Sequence, residues 1–242
     1  MKTKRFALCF FIGIFASAVF GAESTPIGRE LCRETASFLS SFGLRTVSDA
    51  LVSSGQNDFP YNVYVRIPAS EKTTVSNGRK RLILAFTMED AYVHRDFFTP
   101  FLQSVKEIKS DSDIILLFSY GDEKIDAGIP QIKGTDVFAK NIETPDDYAA
   151  VCVDFDARKK AAIEPGGGGT VSPDWLVLRL IRACDENAIP YVLRGGGLNS
   201  LFRLSLIESD ERSSFFLTRE IPCVSLSLSP DSENALPLLT SF

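Results

Sequence analysis

The chain has 242 residues, enough for one domain with a substantial core, and its 45% hydrophobic and 24% charged residues exclude disordered, collagen-like and repeat-array classes. Acidic residues outnumber basic ones, 31 to 26, and Lys2, Lys4 and Arg5 sit in an acid-free leader, so the remainder carries a charge of about −8. No long block of basic residues occurs, which argues against nucleic acid or an anionic membrane as the main ligand.

Residues 1–22 have the layout of an export signal: a basic start, an apolar run from Phe6 to Phe20, and the small residues Gly21 and Ala22 at the expected cut. The run is shorter than the ~20 residues a membrane span needs. The expectation is an exported protein, periplasmic or secreted, with no membrane span after signal cleavage and a single domain over residues 23–242. Cys32, Cys152, Cys184 and Cys223 contain no CxxC pair, so they form neither a zinc nor a redox motif. Buried free thiols and one disulfide both fit their setting.

Apolar residues at helical spacing between Pro26 and Leu51 predict a helix that breaks near Gly43. The alternating run Tyr61 to Pro68, followed by a polar stretch containing Asn77-Gly78, predicts a hairpin. Arg81 to Thr87, Asp113 to Tyr120, Ala149 to Asp156 and Ile221 to Leu228 are short, nearly continuous apolar runs, the pattern of strands covered on both faces. Helical patterns lie between them at Phe97 to Ile108, Asp136 to Asn141 and Asp174 to Glu186, the last reached through Ser172-Pro173. Alternating strands and helices predict an α/β fold: a mixed, mostly parallel central sheet with helices on both faces. The glycine runs Gly166 to Gly169 and Gly195 to Gly197 match neither GxGxxG nor GxxxxGK and read as loops beside a cleft.

In such sheets ligands gather outside the carboxyl ends of the strands, and the polar residues ending these runs are mostly acids. They are Glu89, Asp90 and Asp96, then Asp122 and Glu123, then Asp154 and Asp156, with Asp210 and Glu211 before the last strand. Carboxylates converging on one cleft repel unless a cation or protons intervene, which is the physical case for a metal; singly, each equally suits a helix cap or turn.

The order of these pieces resembles the co-catalytic zinc aminopeptidases, a clan that includes glutamate carboxypeptidases and glutaminyl cyclases, over the stretch from Leu82 to Ser227. The family's His-x-Asp falls on Met88-Glu89-Asp90, its bridging aspartate on Asp96, its Glu-Glu pair on Asp122-Glu123, and its third-strand aspartate on Asp154. Its Ser-Asp-His motif falls on Ser209-Asp210-Glu211, followed by Phe215, Phe216 and Ile221-Pro222. The resemblance implies Asp96, Glu123, Asp154 and Glu211 as metal ligands and Asp122 as general base. Both ligand histidines are replaced, by Met88 and Glu211, and the base is one methylene short. An all-carboxylate set suits a hard divalent cation rather than zinc, and a reacting group displaced by about 1 Å can lose ~100-fold in rate.

His94, the only histidine, is either a solvated loop residue or a stand-in ligand, and Phe215 and Phe216 are either core or pocket lining. The short stretch after Leu228 leaves open that the family's last helix is missing. Three functions follow. The first is a peptidase-fold protein without zinc chemistry or cofactor that binds a protein or peptide partner or acts as a scaffold. The second is an aminopeptidase-like hydrolase on an all-carboxylate cation site. The third is an unrelated ligand binder using the glycine loops, with Gly167 and Gly196 lining its pocket and the carboxylates dispersed.

Overall fold

The computed structural model describes residues 28–50, 61–70, 81–122, 133–156, 160–197, 202–204, 206, 210–232 and 234–240. The leader, the Asn77-Gly78 turn and Glu123 lie outside them. The four apolar runs form the parallel centre of an eight-stranded sheet: β3 (Arg81–Thr87), β4 (Asp113–Ser119), β5 (Tyr148–Phe155) and β10 (Cys223–Leu228). Strands β1 (Thr46–Ala50), β2 (Tyr61–Ile67), β6 (Ala161–Glu164) and β9 (Tyr191–Leu193) extend it to the order β1-β2-β4-β3-β5-β10-β6-β9. The pairs β1-β2, β2-β4 and β10-β6 are antiparallel, so the sheet is mixed as the sequence predicts. A separate small ribbon pairs β7 (Gly166–Gly167) with β8 (Thr170–Val171).

The predicted hairpin does not form. Strand β2 pairs with β1 and β4, and β4 separates it from β3. The run of β3 is buried from Ile83 to Thr87, whereas β2 exposes Arg66 and only half-buries Tyr61, Tyr64 and Ile67, so burial on both faces draws β3 to the centre and leaves β2 outside it. Residues 46–50, expected to belong to a helical segment, form β1 after α1 (Arg29–Ser41) ends near Gly43.

Helices cover both faces. Alongside α1 on one face lie α3 (Arg95–Glu107), α5 (Asp174–Glu186) and α7 (Ala235–Thr240), whose buried residues join those of Leu84, Phe86, Leu116, Phe118, Val151 and Leu226 in one core. The short helix α2 (Met88–Val93) continues directly from β3, with the Thr87 hydroxyl capping it by accepting from Asp90 N–H at 3.0 Å. On the other face α4 (Gly134–Lys140) and α6 (Glu211–Leu217) pack over Ile83, Ala85, Leu117, Ala150 and Cys152. Helix α7, following β10, buries Leu238 and Leu239. Among the described residues no helix is long and apolar enough to cross a membrane.

Phenylalanines order the first core: the Phe98 ring lies edge-on to Phe86 at 5.1 Å, to Phe118 at 5.6 Å and to Phe155 at 5.6 Å. Such pairs add about 0.5–1.5 kcal/mol each beyond area burial. Cys32, Cys152, Cys184 and Cys223 are buried free thiols; the Cys152 and Cys223 Sγ atoms stand 3.6 Å apart, at hydrogen-bonding distance and not joined as a disulfide. Burial raises the pKa of Cys32 and Cys152 and lifts Cys184 to about 11.

Phe98→Ala is expected to cost about 3–5 kcal/mol, because a fully buried ring with three edge-on partners leaves a cavity the sheet cannot close. Urea unfolding followed by far-UV circular dichroism checks this; a loss under about 1 kcal/mol would mean that the cluster is not packed as described.

Candidate functional site

The chain leaves β3 for β4 on one side and returns from β4 to β5 on the other, so the strand order reverses at β3, the position outside whose carboxyl end such sheets place their binding crevice. Two devices shape the end of β4. Gly121 takes φ +75°, a region that side chains with a Cβ disfavour, and turns the strand toward Asp122. The fully buried Asn62 then clamps the start of α4: its amide donates to Gly134 O at 2.8 Å, and its Oδ1 accepts from Tyr120 N–H at 3.3 Å. A Cβ on Gly134 would stand 2.2 Å from Asn62 Oδ1, so only glycine fits there. This clamp delivers Thr135 to Asp122, whose carboxylate accepts the Thr135 hydroxyl at 2.5 Å and its N–H at 3.3 Å. Burial nonetheless pushes the Asp122 pKa up, against the pull of Ser119, Thr135 and Arg212.

Across the crevice α6 starts at Asp210, which caps the helix by accepting Arg212 N–H at 3.0 Å. Arg212 is 3% exposed and its guanidinium turns back under the helix. It donates to the Asp154 carboxylate in a short ion pair, lies 3.2 Å from Asp210 Oδ2, and reaches Val153 O at 3.4 Å. Burial alone would lower the arginine pKa, but Asp210 and Asp154 outweigh it and hold the group charged. Asp210 also accepts the Ser225 hydroxyl at 3.0 Å and donates its N–H to Glu164 at 3.2 Å. Glu164, 4% exposed, pairs with Arg194 at the end of β9. Lys133 completes the set: its Nζ donates to Asp122 O at 3.2 Å and lies 3.5 Å from Glu211. The cations seated among these carboxylates are therefore side chains of the chain itself.

Of the residues singled out in the sequence, Asp122, Asp154 and Asp210 share this network through Arg212. Glu211 is 55% exposed at its side chain and faces Lys133. Asp96 lies on the exposed first turn of α3, where it lines a separate hollow of about 350 Å³ with His94, Phe97 and Asp231. The His94 ring stands 5.1 Å from Phe155, and burial lowers its pKa against the opposing pull of Asp231. Met88 is fully buried at the start of α2, Glu89 and Asp90 lie in its first turn, and Phe216 is core. Glu123 and Ser209 are outside the described residues. Among the described residues no three His, Cys, Asp or Glu side chains form a group that could hold a metal ion.

The sequence reading missed Asn62, Lys133, Thr135, Glu164 and Arg212. One signal was available: Arg212 and Lys133 put positive charge at helix amino ends, against the helix dipole, and such a local conflict marks a residue held by tertiary contacts.

This architecture is that of the zinc-dependent exopeptidases and glutaminyl cyclases. A glutaminyl cyclase of Fimbriiglobus ruber matches with a TM-score of 0.57 at 13% identity, covering 86% of this chain and 84% of that one. An Acidobacteriales bacterium glutaminyl cyclase matches at 0.53 and 15% identity over 91% and 94% of the two chains. A Zn-dependent exopeptidase of Parabacteroides distasonis matches at 0.52 and 13% identity over 86% and 85%. At these identities the likeness shows the fold. The chain belongs to the TP_0564 family, whose first-domain model matches residues 46–241. No curated protein matches it.

Arg212→Ala is expected to destabilise the protein by about 3 kcal/mol, the lower end for a broken buried ion pair, because Asp154 is partly open to water. Arg212→Lys should fall between the two, keeping the charge without the forked geometry. Equal unfolding midpoints for all three proteins would refute the pairing. Burial also raises the Glu164 pKa, despite Arg194. The folded state then holds that proton more tightly than the unfolded chain. The contribution of Glu164 is full below about pH 4 and is lost as pH rises through its raised value. Glu164→Gln should therefore flatten the decline of the urea midpoint as pH rises above about 4; an unchanged slope would count against the shift.

Proposed function

We propose that this protein is an exported peptidase-fold module that lacks zinc-dependent hydrolysis and works by binding a protein or peptide. The observation that carries the reading is Arg212, a buried guanidinium fixed between Asp154 and Asp210. Asp154 is the third-strand aspartate that the resemblance assigns to a metal. A carboxylate engaged by an internal cation has its charge compensated already, and a metal would have to displace an arginine held by further bonds to Val153 O.

The other donors do not fit zinc either. Zinc sites usually include imidazole or thiolate beside any carboxylates, yet the two histidine positions hold a buried Met88 and an outward-facing Glu211 paired with Lys133. Asp122, the counterpart of the general base, accepts from Thr135 through its carboxylate and from Lys133 through its backbone carbonyl. These residues support a network that joins α4, α6, β5 and β10. The leader-like residues 1–22 support export.

The test is elemental analysis of the purified protein after mild dialysis, alongside assays on aminoacyl-amide and peptide substrates with zinc, manganese or calcium added. The expected result is far less than one divalent ion per chain and no cleavage above the blank, unchanged in Asp154→Asn. Stoichiometric metal lost in Asp154→Asn, together with cation-dependent cleavage, would reinstate the all-carboxylate hydrolase.

A further inference from the structure

At the opposite ends of the strands, on the opposite face from Arg212, the amino ends of β3, β4 and β5 open onto a groove of about 760 Å³ between α3, α5 and α7. Its floor is apolar, formed by Leu84, Ile114, Leu176 and Leu239. Its rim carries Arg81, Lys109, Arg179 and Arg182 against one acid, Asp111, although the whole chain has a net charge of −5. Among the described residues no ion pair or hydrogen bond engages the side chains of Lys109 and Arg182, whereas Arg179 is already engaged. The Nη1 of Arg81 donates to Tyr148 Oη at 2.5 Å, while its Nε is buried without a partner.

Helix α5 extends this surface outward. Trp175, Leu178, Arg179 and Arg182 recur at the i, i+3, i+4, i+7 positions of one helical face, and the first two are 53% and 51% exposed. Large aromatic and aliphatic side chains interleaved with arginine, around an apolar cleft, have the composition of a protein-docking centre.

We propose that this groove docks an acidic amphipathic helix of another protein chain. The groove lies on a sheet face between helices, not along a strand edge, so it offers no backbone ladder to an extended peptide and favours a helix laid into a gap of the helical layer. Its apolar surface continues onto Trp175 and Leu178, which a compact ligand filling the cleft would leave in water. The cationic rim selects acidic residues flanking the apolar stripe and rejects basic ones. The groove is separate from the Arg212 network, so this docking holds whatever the metal assays return.

Trp175 is the only tryptophan in the chain, so its emission reports on the groove directly. The probe is a synthetic peptide of about 18 residues, with Leu at i, i+3, i+4, i+7 spacing and Glu at the other positions, titrated into the full protein. The expected result is a saturable blue shift of Trp175 emission, with affinity reduced about tenfold by Arg182→Glu and also reduced by added salt. Leu178→Lys, an exposed substitution that leaves the core intact, should weaken binding similarly when followed by the anisotropy of labelled peptide. The proposal is overturned by no saturable shift up to about 1 mM peptide, by equal binding of a Lys-for-Glu peptide, or by full displacement with palmitate. The last result would assign the groove to a small anionic amphiphile.

Discussion

A guanidinium buried at 3% exposure governs the arrangement of the carboxyl-end crevice. Withdrawing such a cation from water costs several kcal/mol, recovered only if nearby carboxylates and carbonyls replace its hydration. Arg212 meets that condition with Asp154, Asp210 and Val153 O, and these partners tie together three elements: Asp154 and Val153 belong to β5, and Asp210 belongs to the cap of α6 and, through Ser225, reaches β10. The helix, the two central strands and the turn before α6 are thereby fixed to one another. Lys133 repeats the device on a smaller scale between Asp122 and Glu211. The crevice that holds metal chemistry in the resemblance is cross-linked here by the chain's own cations.

The sheet's centre was legible because strands covered on both faces must be apolar throughout, and Arg81–Thr87, Asp113–Ser119, Tyr148–Phe155 and Cys223–Leu228 announce themselves that way. Helix α5 was equally plain, its apolar positions recurring at helical spacing. Strand partners were not legible, since pairing is a long-range choice: Tyr61–Ile67 sits next to Arg81–Thr87 in sequence yet pairs elsewhere. Short helices such as α2 and α6 escaped for a different reason. Six or seven residues span less than two helical turns, too few for periodicity to outweigh propensity.

The candidate site divides along the same line. The acids at strand ends could be found because a strand end is a readable position, and Asp122 and Asp154 do stand at the crevice. Their partners could not, because an arginine or asparagine side chain states nothing in sequence about which carboxylate or carbonyl it will reach. Asn62, sitting on a strand 58 residues before Tyr120, shows the distance involved. Its contribution is visible only once β2 lies beside β4 and a glycine leaves room for it.

The position of β10 has a kinetic meaning. This strand, residues 223–228, lies between β5 and β6, both of which precede it by more than fifty residues. Until it is inserted, β5 and β6 present open edges, the Asp210–Ser225 bond cannot form, and Arg212 lacks its full set of acceptors. Closing the sheet between β5 and β6 therefore needs contacts of high sequence separation, which slow folding and leave strand edges unpaired until β10 is inserted. Until β10 is in place, the open edges of β5 and β6 are templates on which another chain's strand can pair.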